Sequence, residues 1–145
     1  METLQKIKIT VEAFVQAPKD AVWKLWTTPE DIVQWNNASE DWHTPSAKND
    51  LKSGGKFVYR MEAKDGSFGF DFGGIYDMVK PKEFIAYTIG DGRKVEISFT
   101  GNGSIVKISE TFEAESQNSI ELQRDGWQAI LNNFKKYSES RSWHK

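Results

Sequence analysis

No cysteine occurs among the 145 residues, which removes disulfides, thiolate metal ligands and cysteine nucleophiles together. Histidine is almost as scarce. Of the two present, His144 falls in the last residues, so a metal site or a His-based catalytic pair has only His43 to draw on. The patterns HExxH, CxxC, GxSxG, GxGxxG and the P-loop are all missing, and Gly101-Asn102-Gly103 reads as a turn rather than a phosphate cradle. Neither sign of charge dominates. Nineteen Lys and Arg against twenty-one Asp and Glu leave a formal charge of −2, without the basic footprint that a nucleic-acid backbone or an anionic membrane surface selects. No apolar run approaches the roughly 20 residues needed to cross a bilayer, and residues 1–10 lack the uninterrupted apolar stretch of a signal peptide. The expectation is a cytoplasmic chain with no metal, no cofactor, no nucleic-acid partner and no membrane partner.

What the sequence has in quantity is rings: six Trp, nine Phe and four Tyr, which must be buried somewhere. At this length a single domain with one core is expected, spanning residues 1–140, with 141–145 as a frayed tail that continues no pattern. From Leu4 to Phe14, Ile7, Ile9, Val11 and Ala13 alternate with Lys6, Lys8, Thr10 and Glu12, the period of a half-buried strand. Ala17-Pro18 opens a short helix. Thr28-Pro29 restarts a second, with Thr28 placed as N-cap and proline at the first helical position. Residues 36–54 are polar and turn-forming and read as a long loop.

Phe57, Tyr59 and Met61 then alternate with Lys56, Arg60 and Glu62. Asp65-Gly66 is a hairpin signal, and Phe68, Phe70, Phe72, Tyr76 and Met78 follow on alternate positions. Gly73-Gly74 inside that second strand marks a bulge or bend. Three further strands follow, over residues 84–89, 95–99 and 106–112, for about six in all. Their short turns favour an antiparallel meander. After Glu115 the period changes: Ile120, Trp127, Ile130, Leu131, Phe134 and Tyr137 define an amphipathic helix of about twenty residues. Gly126 inside it is tolerable where the backbone must approach the sheet, and Lys135-Lys136 complements the helix dipole.

Several local motifs are more specific than this order of elements. They are Ala17-Pro18 with Val22-Trp23, Thr28-Pro29-Glu30 with Trp35, and Asp41-Trp42-His43-Thr44-Pro45 before Gly54-Gly55-Lys56-Phe57. Asp65-Gly66 with Phe70-Asp71-Phe72, the run Gly90 to Val95, and Gly126-Trp127 with Leu131, Phe134 and Tyr137 complete the set. Together they resemble the AHSA-like family, proteins similar to the C-terminal domain of the activator of heat shock protein 90 ATPase, within the SRPBCC (START-like, Bet v 1-like) superfamily. The resemblance implies an α+β helix-grip fold: a curved antiparallel β-sheet wrapped around a long C-terminal α-helix, with two short helices after the first strand. It also implies an interior cleft for a small apolar or amphipathic molecule. Because the superfamily hosts many activities on one scaffold, fold alone does not name the function. Binding of a small, largely hydrophobic ligand without chemistry is the first expectation. A chaperone-regulating module of the stress response, with a chaperone contact, is the second, although the activators it resembles carry an additional N-terminal domain. A cyclase- or hydrolase-like enzyme is the third.

The ring-bearing faces supply candidates for a cleft between sheet and helix: Phe57, Tyr59, Phe70, Phe72, Tyr76, Tyr87 and Phe99, with Trp127, Ile130 and Phe134 from the helix. Trp42 and His43 are expected to anchor the loop over its mouth. A void of about 300 Å³ left empty would cost about 7 kcal/mol, comparable with a whole domain's stability, so such a cleft must be wet, occupied or partly collapsed. Trp23, Trp26 and Trp35 read as packing the short helices on the sheet rim. Glu110 is in step with Val106, Ile108 and Phe112. Strict alternation turns it inward, where a carboxylate is costly unless partnered or neutral; a bulge, or a place at the open end of the sheet, would turn it out.

Overall fold

The computed structural model describes residues 7–140; the expected tail at 141–145 and the strand start at Leu4–Lys6 lie outside them. In chain order the elements are β1 (Lys8–Val15), α1 (Lys19–Thr27), α2 (Pro29–Trp35), β2 (Trp42–Asn49), β3 (Lys56–Ala63), β4 (Gly69–Lys80), β5 (Phe84–Ile89), β6 (Lys94–Asn102), β7 (Ile105–Glu113) and α3 (Ile120–Glu139). The strands form one antiparallel sheet ordered β1-β7-β6-β5-β4-β3-β2, curled around α3 in the α+β helix-grip arrangement. Alternation works as a steric code along β1: Ile9, Val11, Ala13 and Val15 are buried on the concave face, and Lys8, Thr10, Glu12 and Phe14 face outward.

Three local expectations change. Residues 42–49 are not loop but β2, an edge strand paired with β3. Its polar composition hides it, because one face meets solvent and Pro45 sits where the register shifts between His43 and Ser46, a place an edge strand tolerates. The bulge in β4 is not at Gly73-Gly74. The register breaks between Tyr76 and Met78, so Met78 turns outward and Val79 takes the inner position opposite Ile85. The glycines serve close backbone approach instead: a Cβ on Gly74 would stand 2.3 Å from the Thr88 carbonyl oxygen. Thr28 does hold the N-cap position of α2, but its hydroxyl makes no capping bond; its carbonyl accepts from Asp31 and Ile32 N–H at 2.9 Å. Lys135 does more than face a helix dipole, donating to the Phe14 carbonyl at 2.6 Å and to Glu139 at 2.7 Å, which ties α3 to β1.

α3 is capped by Ser119, whose hydroxyl accepts from Leu122 N–H at 3.0 Å. It packs principally on β1 and on the two short helices. Asn133 fixes α2 from below by donating to the Trp35 carbonyl at 2.8 Å, and Tyr137 donates to Asp31 at 2.6 Å. With the helix held toward β1, the far half of the concave face, on β3 to β5, has less to pack against.

Candidate functional site

The consequence is a cavity of about 180 Å³ between β3–β7, α1, α2 and α3. Trp127 marks its border. The indole stacks on Phe112 at 3.9 Å and 10°, closing the packed side, and meets Phe72 edge-on at 6.1 Å across the open one. Trp26 and Trp35, 4.8 Å apart, wedge against Phe134 and present their other edges to the cavity. The mouth lies by Met61 and Phe70; Phe70 is 40% exposed and flanked by Phe68 of the same hairpin and by Trp42 at the start of β2. Left empty, such a volume would cost about 4 kcal/mol, so occupation by water or by a ligand is favoured.

Its polar groups are few. Glu110 lies on β7 opposite Ile97 of β6 and Val11 of β1, all three turned inward by unbroken register. It is 6% exposed, and burial pushes its carboxyl up to about 8. Among the described residues no side-chain hydrogen bond reaches Glu110, and none reaches the Tyr87 hydroxyl. Tyr87 ionises only well above its ordinary range, through burial first and the nearby Glu110 second. Tyr59 does likewise, through burial and then the neighbouring Tyr76. The Tyr76 hydroxyl donates to Asn49 Oδ1 at 2.5 Å, and Asn49 donates in turn to the Thr27 carbonyl at 2.7 Å, a chain that pins the β2 edge to α1. At neutral pH the cavity therefore offers one protonated carboxyl, three neutral phenols and the amide of Asn36 on an otherwise apolar wall.

Of the residues expected at such a cleft, Tyr59, Phe70, Phe72, Tyr76, Tyr87, Glu110, Trp127 and Ile130 line this cavity. Phe57, Phe99 and Phe134 do not. Phe57 is packed within 5.2 Å of Tyr59, Tyr76 and Tyr87, Phe99 is wedged between Trp23 and Trp26, and Phe134 fills the space under the two tryptophans. Trp42 and His43 do not line the cavity, because β2 is a strand and not a loop folded over the mouth; Trp42 only flanks Phe70 there, at 6.1 Å. His43 points outward, 45% exposed and 4.0 Å from Glu62. The lining adds Trp26, Trp35, Asn36, Met61, Ile85 and Ile97. Met61, Ile85 and Ile97 share the period-two faces of Tyr59, Tyr87 and Phe99, so alternation alone was enough to find them. Trp26 and Trp35 do pack the short helices as expected, and the cavity wall is their second use. Among the described residues no group of three or more His, Asp and Glu is placed to hold a metal ion, and no helix is long and apolar enough to cross a membrane.

Comparison with known proteins agrees with this fold. The family described as Activator of Hsp90 ATPase homolog 1-like protein matches residues 16–139. The solution structure of an AHSA1-like protein from Aeromonas hydrophila is 40% identical, with a TM-score of 0.87 over 96% of this chain and 100% of its own. Chr148 from Cytophaga hutchinsonii is 56% identical, with a TM-score of 0.80 over 92% of each chain. Protein NE0264 from Nitrosomonas europaea, at 16% identity and a TM-score of 0.79 over 94% of this chain and 96% of its own, shares the fold. No curated protein matches.

Proposed function

We propose, starting from the fact that the chain belongs to the Activator of Hsp90 ATPase homolog 1-like family, that it is a cytoplasmic binding protein for one small, largely apolar molecule, which it holds without transforming. The observation that carries this reading is Glu110: an inward carboxyl without a hydrogen-bond partner, in an aromatic cavity roofed by α3. Burying a carboxyl in apolar surroundings costs several kcal/mol. The sheet could avoid this with any apolar residue at the position, so a group kept there against that cost is read as one kept for a ligand's polar end. A cavity of about 180 Å³ slightly exceeds the roughly 150 Å³ that accepts benzene, which sets the ligand at about one ring with a short arm.

The family's description favours a second reading, in which the chain contacts a chaperone through its surface and the cavity is incidental. The two separate experimentally. Protein purified from its own cells is examined by native mass spectrometry for a co-purifying small molecule, and small aromatic probes are titrated while the Ile85, Ile97 and Ile130 methyl signals are followed by NMR. Saturable shifts confined to those methyls, lost in Ile130→Phe, support the binding reading. No shift with any uncharged, cationic or anionic probe, together with several-fold stimulation of a chaperone ATPase, would replace it with the second.

A further inference from the structure

The charge inventory of the cavity is lopsided. Its wall holds one carboxyl and no Lys, Arg or His, and three basic groups of the flanking elements have partners elsewhere. Arg93, at the sheet end, binds Asp91 at 2.9 Å and the Glu113 carbonyl at 3.3 Å; Lys135 is held by β1 and Glu139; His43 faces outward beside Glu62. A ligand carboxylate or phosphate would enter a desolvated site without a counter-ion, which disfavours an anion. An uncharged ligand could hydrogen-bond the neutral carboxyl but would gain nothing from its ionised form, with which only a cation pairs. The remaining wall is mostly aromatic, and ring faces attract a cation in a desolvated site.

We propose that the molecule this cavity is shaped for is a small apolar amine, protonated at nitrogen, with its ammonium group on the Glu110 carboxylate and its body between the Trp and Phe rings. The assignment rests on the binding reading above and narrows it to one ligand class. The Tyr87 hydroxyl, free to accept, supplies a second oxygen for the ammonium protons.

A proton count follows. The titratable groups that share the cavity with Glu110 are Tyr59 from β3, Tyr76 from β4 and Tyr87 from β5, all kept neutral by burial far above neutral pH. Its register partners are Val11 on β1 and Ile97 on β6, and α3, α1 and the end of α2 bring Trp127, Trp26, Trp35 and Asn36 to the same cavity. None of these titrates. In the empty cavity Glu110 keeps its proton up to about pH 8, so an arriving ammonium ion displaces that proton into solvent and the carboxylate formed pairs with it. Amine affinity therefore rises as pH increases, by close to tenfold per unit below about 8, and levels above it.

The test is a matched set of probes, 2-phenylethylamine, 2-phenylethanol and phenylacetate, titrated by calorimetry and NMR at pH 6, 7, 8 and 8.5. The amine is expected to bind at least tenfold tighter than the alcohol at pH 8.5, with the acid weakest. Alcohol affinity should be flat with pH. Glu110→Gln should lose the amine preference while keeping alcohol binding within threefold. With the wild-type protein, calorimetry in two buffers of different ionisation enthalpy should show close to one proton released per amine at pH 6 to 7. Alcohol as tight as amine, acid tightest, or an amine affinity indifferent to pH and to Glu110→Gln overturns the amine assignment and leaves the binding reading standing. Failure of all three probes to bind removes both.

Discussion

Where β1, β6 and β7 meet α1 and α3, Phe99, Phe112 and Phe134 are fully buried and each has a ring partner within 5.6 Å, whereas across the same concave sheet Tyr59, Phe72 and Tyr87 border open space. Both halves draw on the same aromatic stock and the same alternation of side chains. The difference comes from the helix. Lys135, Gln128 and Asn133 tie α3 to the Phe14, Glu12 and Trp35 carbonyls, all on one side of the molecule. A straight helix held at one margin of a curved sheet fills the near half and leaves the far half hollow. The cavity therefore lies in the far half, between rings such as Phe72 and Tyr87, although Phe57 and Ile85 there are fully buried as well.

The largest effect that tests this division is a truncation in the filled half. Phe134→Ala should cost about 3–5 kcal/mol, because a fully enclosed ring leaves a cavity its neighbours cannot collapse. Phe72→Ala in the hollow half should cost only about 1–2 kcal/mol, since part of that ring already faces space. Urea denaturation of both variants reads the contrast. Equal losses would mean that the hollow half is packed in solution.

The next effect depends on pH, and its sign follows from Glu110. The ordinary value is 4.5 and the folded chain raises it to about 8, so between those limits the folded state holds a proton that the unfolded chain has released. The contribution to stability is complete below about pH 4.5 and is lost as pH rises, at up to ~1.4 kcal/mol per unit, until it is gone near pH 8. Glu110→Gln lacks this slope. The variant should therefore gain on the wild type steadily from pH 5 to 8, by a few kcal/mol in total, and run parallel above 8. Asp91 and Glu115 have lowered values and act below that window, so they do not blur it. A constant difference across pH 5 to 9 would show that Glu110 is solvated or paired in solution.

The division between filled and hollow halves also explains what could be read in advance. Strand faces carrying Ile9 to Val15, Phe57 to Met61 and Val106 to Phe112, and the helix face of Leu131 and Phe134, are written in periodicity, because each depends only on which side of its own element a residue occupies. The inward phase of Glu110 was readable for the same reason, but alternation did not exclude a bulge that would turn it out, and the unbroken register of β7 with β1 and β6 decides it. β2 was not, since an edge strand with Pro45 and one solvent face carries no alternation strong enough to separate it from a loop. The break between Tyr76 and Met78 was missed because no glycine marks it, while Gly73-Gly74 advertised a bulge and delivered close packing. Which rings would line a cavity and which would fill the core could not be told apart: Phe57 and Phe99 sit in phase with Tyr59 and Ile97 on the same strands, and only packing against other elements, three tyrosines for Phe57 and two tryptophans for Phe99, separates them.

The smallest effect concerns that position. Gly126 lies within α3, one residue before Trp127, a place a glycine suits if the helix backbone must approach the sheet there. A Cβ there would meet nothing within 4 Å, in contrast to Gly74, where it would collide with backbone. A glycine in a helix interior with room for a side chain lowers stability through unfolded-chain entropy alone, by about 1 kcal/mol relative to alanine. Gly126→Ala should therefore raise the unfolding free energy by about that amount in urea denaturation, while Gly74→Ala lowers it. Because the added methyl touches no neighbour, the Kd for any probe that enters the cavity should stay within twofold. A loss of stability in Gly126→Ala would place α3 closer to the sheet in solution than its ties to β1 allow, and the hollow half would have to be correspondingly smaller.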